Sequence, residues 1–202
     1  MNAPRGTSRM VLMLSAFTLF VLGGIGLWLI IPVQERDLDG VIGLRSPWWR
    51  AIAFGAGVGA TTGVGAVLLL RQPYLRPVAR RYAGLLGPLV PHRWQHVVLS
   101  LSAGIGEELL FRGAIQHWLG VPLTAVLFVA LHGYLDPRDR RVSLYGLYLV
   151  ICMLAYGGMA HAWGLLPTMV AHVVFDLILF DRLRAWTRSG PDGRSVAAER
   201  QS

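Results

Sequence analysis

The feature that most limits what this chain can fold into is a series of apolar runs, each bounded by short segments carrying most of the charge. The runs are Met10 to Ile31, then about Ala51 to Leu70, His96 to Leu119, Leu123 to Tyr134, Val142 to Ala160 and Leu165 to Arg184. A helix rises about 1.5 Å per residue, so a run of about 20 residues crosses the hydrocarbon layer of a bilayer. With 54% hydrophobic and 15% charged residues, and a mean hydropathy of +0.50, the chain is too apolar for an ordinary soluble domain. The expectation is an all-α fold, a polytopic transmembrane helix bundle of about six spans. It forms a single domain over 1–186, with 187–202 a disordered tail rich in Gly, Ser and charge. The fourth run is short for a full span. Met10 to Ile31 exceeds the core of a signal peptide and lacks a small-residue cleavage site, so it reads as a first membrane helix.

The charges support the same reading. Lys and Arg number 19 against 11 Asp and Glu, a formal net charge of +8. They fall between the apolar runs rather than on one soluble face, which argues against a nucleic-acid partner and for the positive-inside rule. The stretch Arg71 to Arg93 holds Arg76, Arg80 and Arg81 and no acidic residue, so it is placed in the cytoplasm. The loop Asp136 to Arg141 and the arginines Arg182, Arg184, Arg188 and Arg194 then share that side, as do both termini. The location expected is a bacterial inner or plasma membrane, with the lipid bilayer as a partner. Tyr74, Leu75, Tyr82, Leu85 and Leu86 could dip into headgroups as one face of a basic surface segment. Trp48 and Trp49 mark an interface. Gly55, Gly59 and Gly63, at four-residue spacing, offer a smooth stripe for close packing within the bundle. The lone cysteine, Cys152, reads as a small core residue. No internal repeat and no nucleotide-binding glycine pattern is present.

Against that apolar background, Glu107, Glu108 and Arg112 stand in the third run. Each costs about 2.5–3.5 kcal/mol at a helix centre, so the cost must be recovered by pairing, by a water-filled cavity or by chemistry. Glu108 and Arg112 are four apart and pair on one face. Glu107 lies about 100° round the helix with no local partner, which suits a general base facing another helix. Two further helices carry polar groups at membrane depth: Phe128 with His132, and His172 with Asp176, each pair four apart. His117 and His161 fall near outer helix ends and read as interfacial. His92 and His96 flank the basic loop and read as solvated or headgroup-facing.

In this order, Glu-Glu-x-x-x-Arg, Phe-x-x-x-His and His-x-x-x-Asp, the motifs resemble the signature of the CAAX protease and bacteriocin-processing (CPBP) family of intramembrane proteases. Its best-known branch is the type II CAAX prenyl endopeptidase, the Ras-converting enzyme. The resemblance covers roughly residues 96–184. It implies an intramembrane endopeptidase acting on a peptide or membrane-protein substrate near the cytoplasmic side. Glu107 and His132 would activate a water, His172 and Asp176 would stabilise the oxyanion, and Glu108, Arg112 and Phe128 would support the site or orient substrate. The third motif departs from the commoner Asn: an ionised Asp176 accepts hydrogen bonds but donates none. Either Asp176 is protonated, or it orients His172, or it helps to hold a metal; orientation of His172 is the favoured reading. Glu107, His132 and His172 are also a zinc-type ligand set. A water activated by glutamate alone, with no cofactor, is preferred over zinc or another divalent metal. The competing readings are a non-catalytic partner in bacteriocin immunity or assembly, and a proton-coupled transporter using the same groups as a relay.

Overall fold

The computed structural model describes residues 5–44 and 47–189. Among them lie seven helices and no strand: α1 (Thr7–Val33), α2 (Leu38–Ile42), α3 (Trp48–Arg71), α4 (Arg76–Leu86), α5 (Arg93–Leu131), α6 (Arg140–Trp163) and α7 (Leu165–Ser189). The all-α expectation holds. Four of them, α1, α3, α5 and α6, are long and apolar enough to cross a membrane. The large apolar side chains that remain exposed, among them Met13, Phe20, Leu131 and Ile151, suit contact with lipid. Residues 190–202, most of the expected tail, lie outside the described residues.

The count of about six spans is not reproduced, for two physical reasons. The expected third and fourth spans belong to one element, α5, interrupted at Gly120, whose φ of 70° and ψ of 173° leave the helical region. A positive φ costs glycine little, and Pro122 follows it, so the chain can turn here. His132, at the end of the second arm, lies 3.6 Å from Glu107 in the first, so the arms fold back on each other. The expected sixth span, α7, forms a helix over its full expected length. It lacks the apolarity of the other four because Asp176, Asp181 and Arg182 fall inside it.

Close backbone approach positions the catalytic candidates. A Cβ at Gly55 or Gly59 of α3 would collide with the carbonyls of Pro167 and Ala171, so the stripe of small residues packs α3 directly on α7. Ala171 is thereby committed to α3, and His172, about 100° further round, is turned toward α5. On the far side of α5, a Cβ at Gly106 would collide with the carbonyl of Thr18, which seats α1 beside the Glu-Glu pair. Immediately after that pair, Leu109–Ile115 is wound as a π-helix, a wider turn that occurs often at functional sites. The carbonyls of Gly113 and Ala114 in this turn accept hydrogen bonds from Arg36 Nη1 at 2.7 Å and Gln34 Nε2 at 2.9 Å. The segment after α1 thus fastens the widened turn.

Two surface readings change. In the basic stretch, Tyr74 and Leu85 are exposed as a headgroup-facing segment requires. Leu75 is fully buried, however, and Tyr82 and Leu86 pack against the bundle. The amphipathic α4 has its apolar face against the protein rather than the lipid. His96 is 3% exposed and its Nε2 donates to the Val90 carbonyl at 2.8 Å, so it is a core residue and not a solvated one. Cys152 is buried, as its apolar setting suggests.

Candidate active site

Each of the three motifs reaches the site from a different stretch of chain, and the structure brings them together. Glu107, Glu108 and Arg112 come from the first arm of α5, Phe128 and His132 from the end of its second arm, His172 and Asp176 from α7. Glu107, Phe128, His132, His172 and Asp176 line one cavity of about 410 Å³, whose remaining walls are mostly apolar. Glu107 Oε2 is buried, with no hydrogen-bond partner among the described residues. It lies 3.6 Å from His132 Nε2 and 4.0 Å from His172 Nε2. Buried polar atoms ordinarily find a partner in protein or ordered water, so an acceptor left facing a cavity is a place where chemistry can be done.

Both imidazoles are held by their other nitrogen. His132 Nδ1 donates to the Phe128 carbonyl at 2.7 Å, one turn back, which leaves Nε2 to face Glu107. The Phe128 ring lies 4.3 Å from the His132 ring, centroid to centroid, and meets His172 edge-on at 5.9 Å. His172 Nδ1 donates to Glu108 Oε1 at 2.8 Å, which turns its Nε2 toward Glu107 and Asp176. An anchored second nitrogen fixes which ring atom faces the reacting group.

Glu108 and Arg112 form the expected ion pair, Oε1 to Nη1 at 3.1 Å, with both side chains almost wholly removed from solvent. The guanidinium also sits over the Phe128 ring, 4.3 Å from its centroid, and points Nη2 at the Met153 sulfur. The pair therefore supports both other motifs: Glu108 holds His172, and Arg112 backs Phe128. The Glu108–His172 bond was not legible from spacing, because i, i+4 pairing already accounts for Glu108 and nothing local says which face α7 presents. Asp176 Oδ2 lies 3.8 Å from His172 Nε2, beyond hydrogen-bond range. The carboxylate that hydrogen-bonds the ring is Glu108.

Glu107 Oε2 stands 3.6 Å from His132 Nε2, close to the about 3.4 Å between ligand atoms of a tetrahedral zinc, while His172 Nε2, at 4.0 Å, is further out. Among the described residues no group of three His, Cys, Asp or Glu side chains has the spacing to hold a metal ion.

A second, larger cavity of about 660 Å³ opens elsewhere on the bundle, lined by Arg36, Gln116, His117 and His161 with Arg112 on its wall. It touches neither Glu107 nor the site histidines. His117 and His161 face this space.

Comparison with known proteins bears on the same stretch of chain. Residues 89–178 match the family described as type II CAAX prenyl endopeptidase Rce1-like. A relative from Bacillus subtilis (strain 168), the uncharacterized protein YpbD, is 28% identical over 98 residues, covering 47% of this chain and 47% of that protein. The match thus spans about half the length of that relative. No solved structure matches the chain. Every motif residue from Glu107 to Asp176 lies within the matched segment, so over residues 89–178 the chain is similar to the type II CAAX prenyl endopeptidase Rce1-like family.

Proposed function

We propose that this chain is an intramembrane endopeptidase that hydrolyses a peptide bond with a water activated by Glu107 and His132. The observation that carries the reading is the Glu107 Oε2 atom, buried, unpartnered among the described residues, and facing two anchored imidazoles across a cavity. A water bound there donates one hydrogen to Glu107 and the other to His132 Nε2. As Glu107 takes its proton, the water oxygen bonds to the carbonyl carbon and the carbonyl π electrons move onto oxygen. Collapse of that intermediate re-forms the carbonyl and breaks the C–N bond, and the protonated Glu107 returns its proton to the leaving amine. His172 stands beside the developing oxyanion as an imidazolium, Nδ1–H bonded to Glu108 and Nε2–H free to donate to the charged oxygen. Preorganised groups in a cavity poor in water stabilise that charge strongly.

In this reading Glu107 itself takes the proton from the water and the reaction runs without a metal. His132 ends the α5 arm that leads directly into the loop Asp136 to Arg141, net positive like the stretch Arg71 to Arg93. The positive-inside rule puts those loops in the cytoplasm, which favours cleavage near the cytoplasmic leaflet with both termini on that side. The substrate is a peptide or a membrane protein whose extended segment enters the cavity. Purified chain carrying Glu107→Gln, which keeps shape but removes the base, is expected to lose peptide cleavage while remaining folded. Unchanged cleavage would end the peptidase reading.

A further inference from the structure

The departure at Asp176 leaves the proposed reaction short of a donor. Where an asparagine amide could donate to an oxyanion, an ionised aspartate only accepts, and His172 is then the one motif residue placed to stabilise the charge. The same cavity holds a neutral donor that none of the motifs includes. Tyr134 lines it together with Glu107, His132, His172 and Asp176, its ring facing that of His132. The other tyrosine on the cavity wall, Tyr145, has its hydroxyl buried with no partner among the described residues, and its ring meets Tyr134, which in turn faces His132.

The position of Tyr134 is determined by local chain chemistry. The helix ends at His132; Gly133 adopts a φ of +75°, and its N–H bonds the Ala130 carbonyl at 2.9 Å while the Tyr134 N–H bonds the Val129 carbonyl at 3.2 Å. This is a Schellman cap, which needs a residue comfortable at positive φ and so depends on the glycine. The cap swings the Tyr134 ring parallel to that of His132 to within 10°, centroids 6.5 Å apart. Tyr82 at 5.0 Å and Tyr145 at 5.6 Å hold it from other sides. A Cβ at Gly146 would collide with the Tyr134 carbonyl, so the backbone is seated on α6 as well. A rigid, aromatic-packed phenol spends little entropy in donating a hydrogen bond. Burial pushes the phenol above its ordinary range, so it keeps its proton throughout neutral pH.

We propose that Tyr134 is a catalytic residue of this chain, its hydroxyl donating a hydrogen bond to the peptide carbonyl oxygen as charge develops there. It supplies the donor that Asp176 cannot. The proton stays on the phenol throughout; only the hydrogen bond strengthens. This assignment rests on the Glu107 peptidase reading, and the test separates the two. Cleavage of a peptide by purified full chain is measured for wild type, Glu107→Gln, Tyr134→Phe, Asp176→Asn and the Tyr134→Phe/Asp176→Asn double variant, each with its melting temperature. An active wild type and an inactive Glu107→Gln establish the base.

Against that background, Tyr134→Phe is expected to lower kcat by about 10²-fold with KM and melting temperature nearly unchanged. Asp176→Asn alone retains substantial cleavage. In the double variant the new amide recovers about tenfold or more of the loss, because it donates where the phenol did. A Tyr134→Phe rate within about twofold of wild type overturns the proposal. So does a loss that follows melting temperature and is not rescued by Asp176→Asn. If Glu107→Gln cleaves as well as wild type, the peptidase reading itself fails and the tyrosine assignment falls with it.

Discussion

Glu108 is the residue on which the others lean. Fully buried, it pairs with Arg112 and accepts from His172, so a single carboxylate joins the first motif to the third. A buried ion pair is a weak source of net stability, yet removing one partner is costly because the other charge is stranded. Arg112→Gln is therefore expected to destabilise the protein by about 3–5 kcal/mol, read as a fall in the denaturant midpoint in detergent. A change under about 1 kcal/mol would show that water or another group can neutralise Glu108. At this scale the sequence was partly readable. The cost of charge in an apolar run singled out Glu107, Glu108 and Arg112, and four-residue spacing paired the last two. It could not show that His172 hydrogen-bonds Glu108 rather than Asp176, since that choice depends on which face α7 turns inward.

At the scale of elements, bare backbone does the positioning. Gly59 lets Ala171 press on α3 and so aims His172; Gly106 lets α1 lie against α5 beside the base. The stripe Gly55, Gly59, Gly63 was legible as a packing face, but Gly106 hides inside the motif, where the acidic residues draw the eye. Gly106→Leu is expected to destabilise by about 1–3 kcal/mol through overpacking against Thr18. Gly24→Leu, on an open face of α1 with nothing within 4 Å of its Cβ, serves as the tolerated control. Equal thermal stability of the two variants would show that the α1–α5 contact yields. The break at Gly120 was readable from Gly-Val-Pro. The widening of Leu109–Ile115 was not, because no residue type announces a π turn; its carbonyls are claimed by Gln34 and Arg36 from a distant segment.

Over the whole molecule, apolar length and the distribution of arginines were enough to read an all-helical membrane bundle, while burial within it was less legible. His96 sits in a charged neighbourhood of sequence but in the core of the fold. α7 carries Asp176, Asp181, Arg182, Arg184 and Arg188, charges that a span facing lipid along its whole length would exclude. The two cavities open at different places, the catalytic candidates near the basic loops and the other beside His117 and His161. The proposed orientation has a direct consequence in a Cys152→Ala background. A cysteine placed at exposed Arg138 is expected to react with a membrane-impermeant maleimide only from the cytoplasmic face. One at exposed Leu44, on the stretch near the second cavity, is expected to react only from the other. The reverse pattern would invert the topology and move cleavage to the opposite leaflet.

The most direct measurement is the turnover of a peptide by purified chain, wild type against Glu107→Gln, after exhaustive chelation of divalent metals. Loss of a general base is expected to cost about 10²–10⁴-fold in kcat, with the chelated wild type fully active and both proteins equally folded. A Glu107→Gln rate equal to that of wild type would contradict the account at its centre, and a wild type silenced by chelation and restored by zinc would contradict the metal-free reaction.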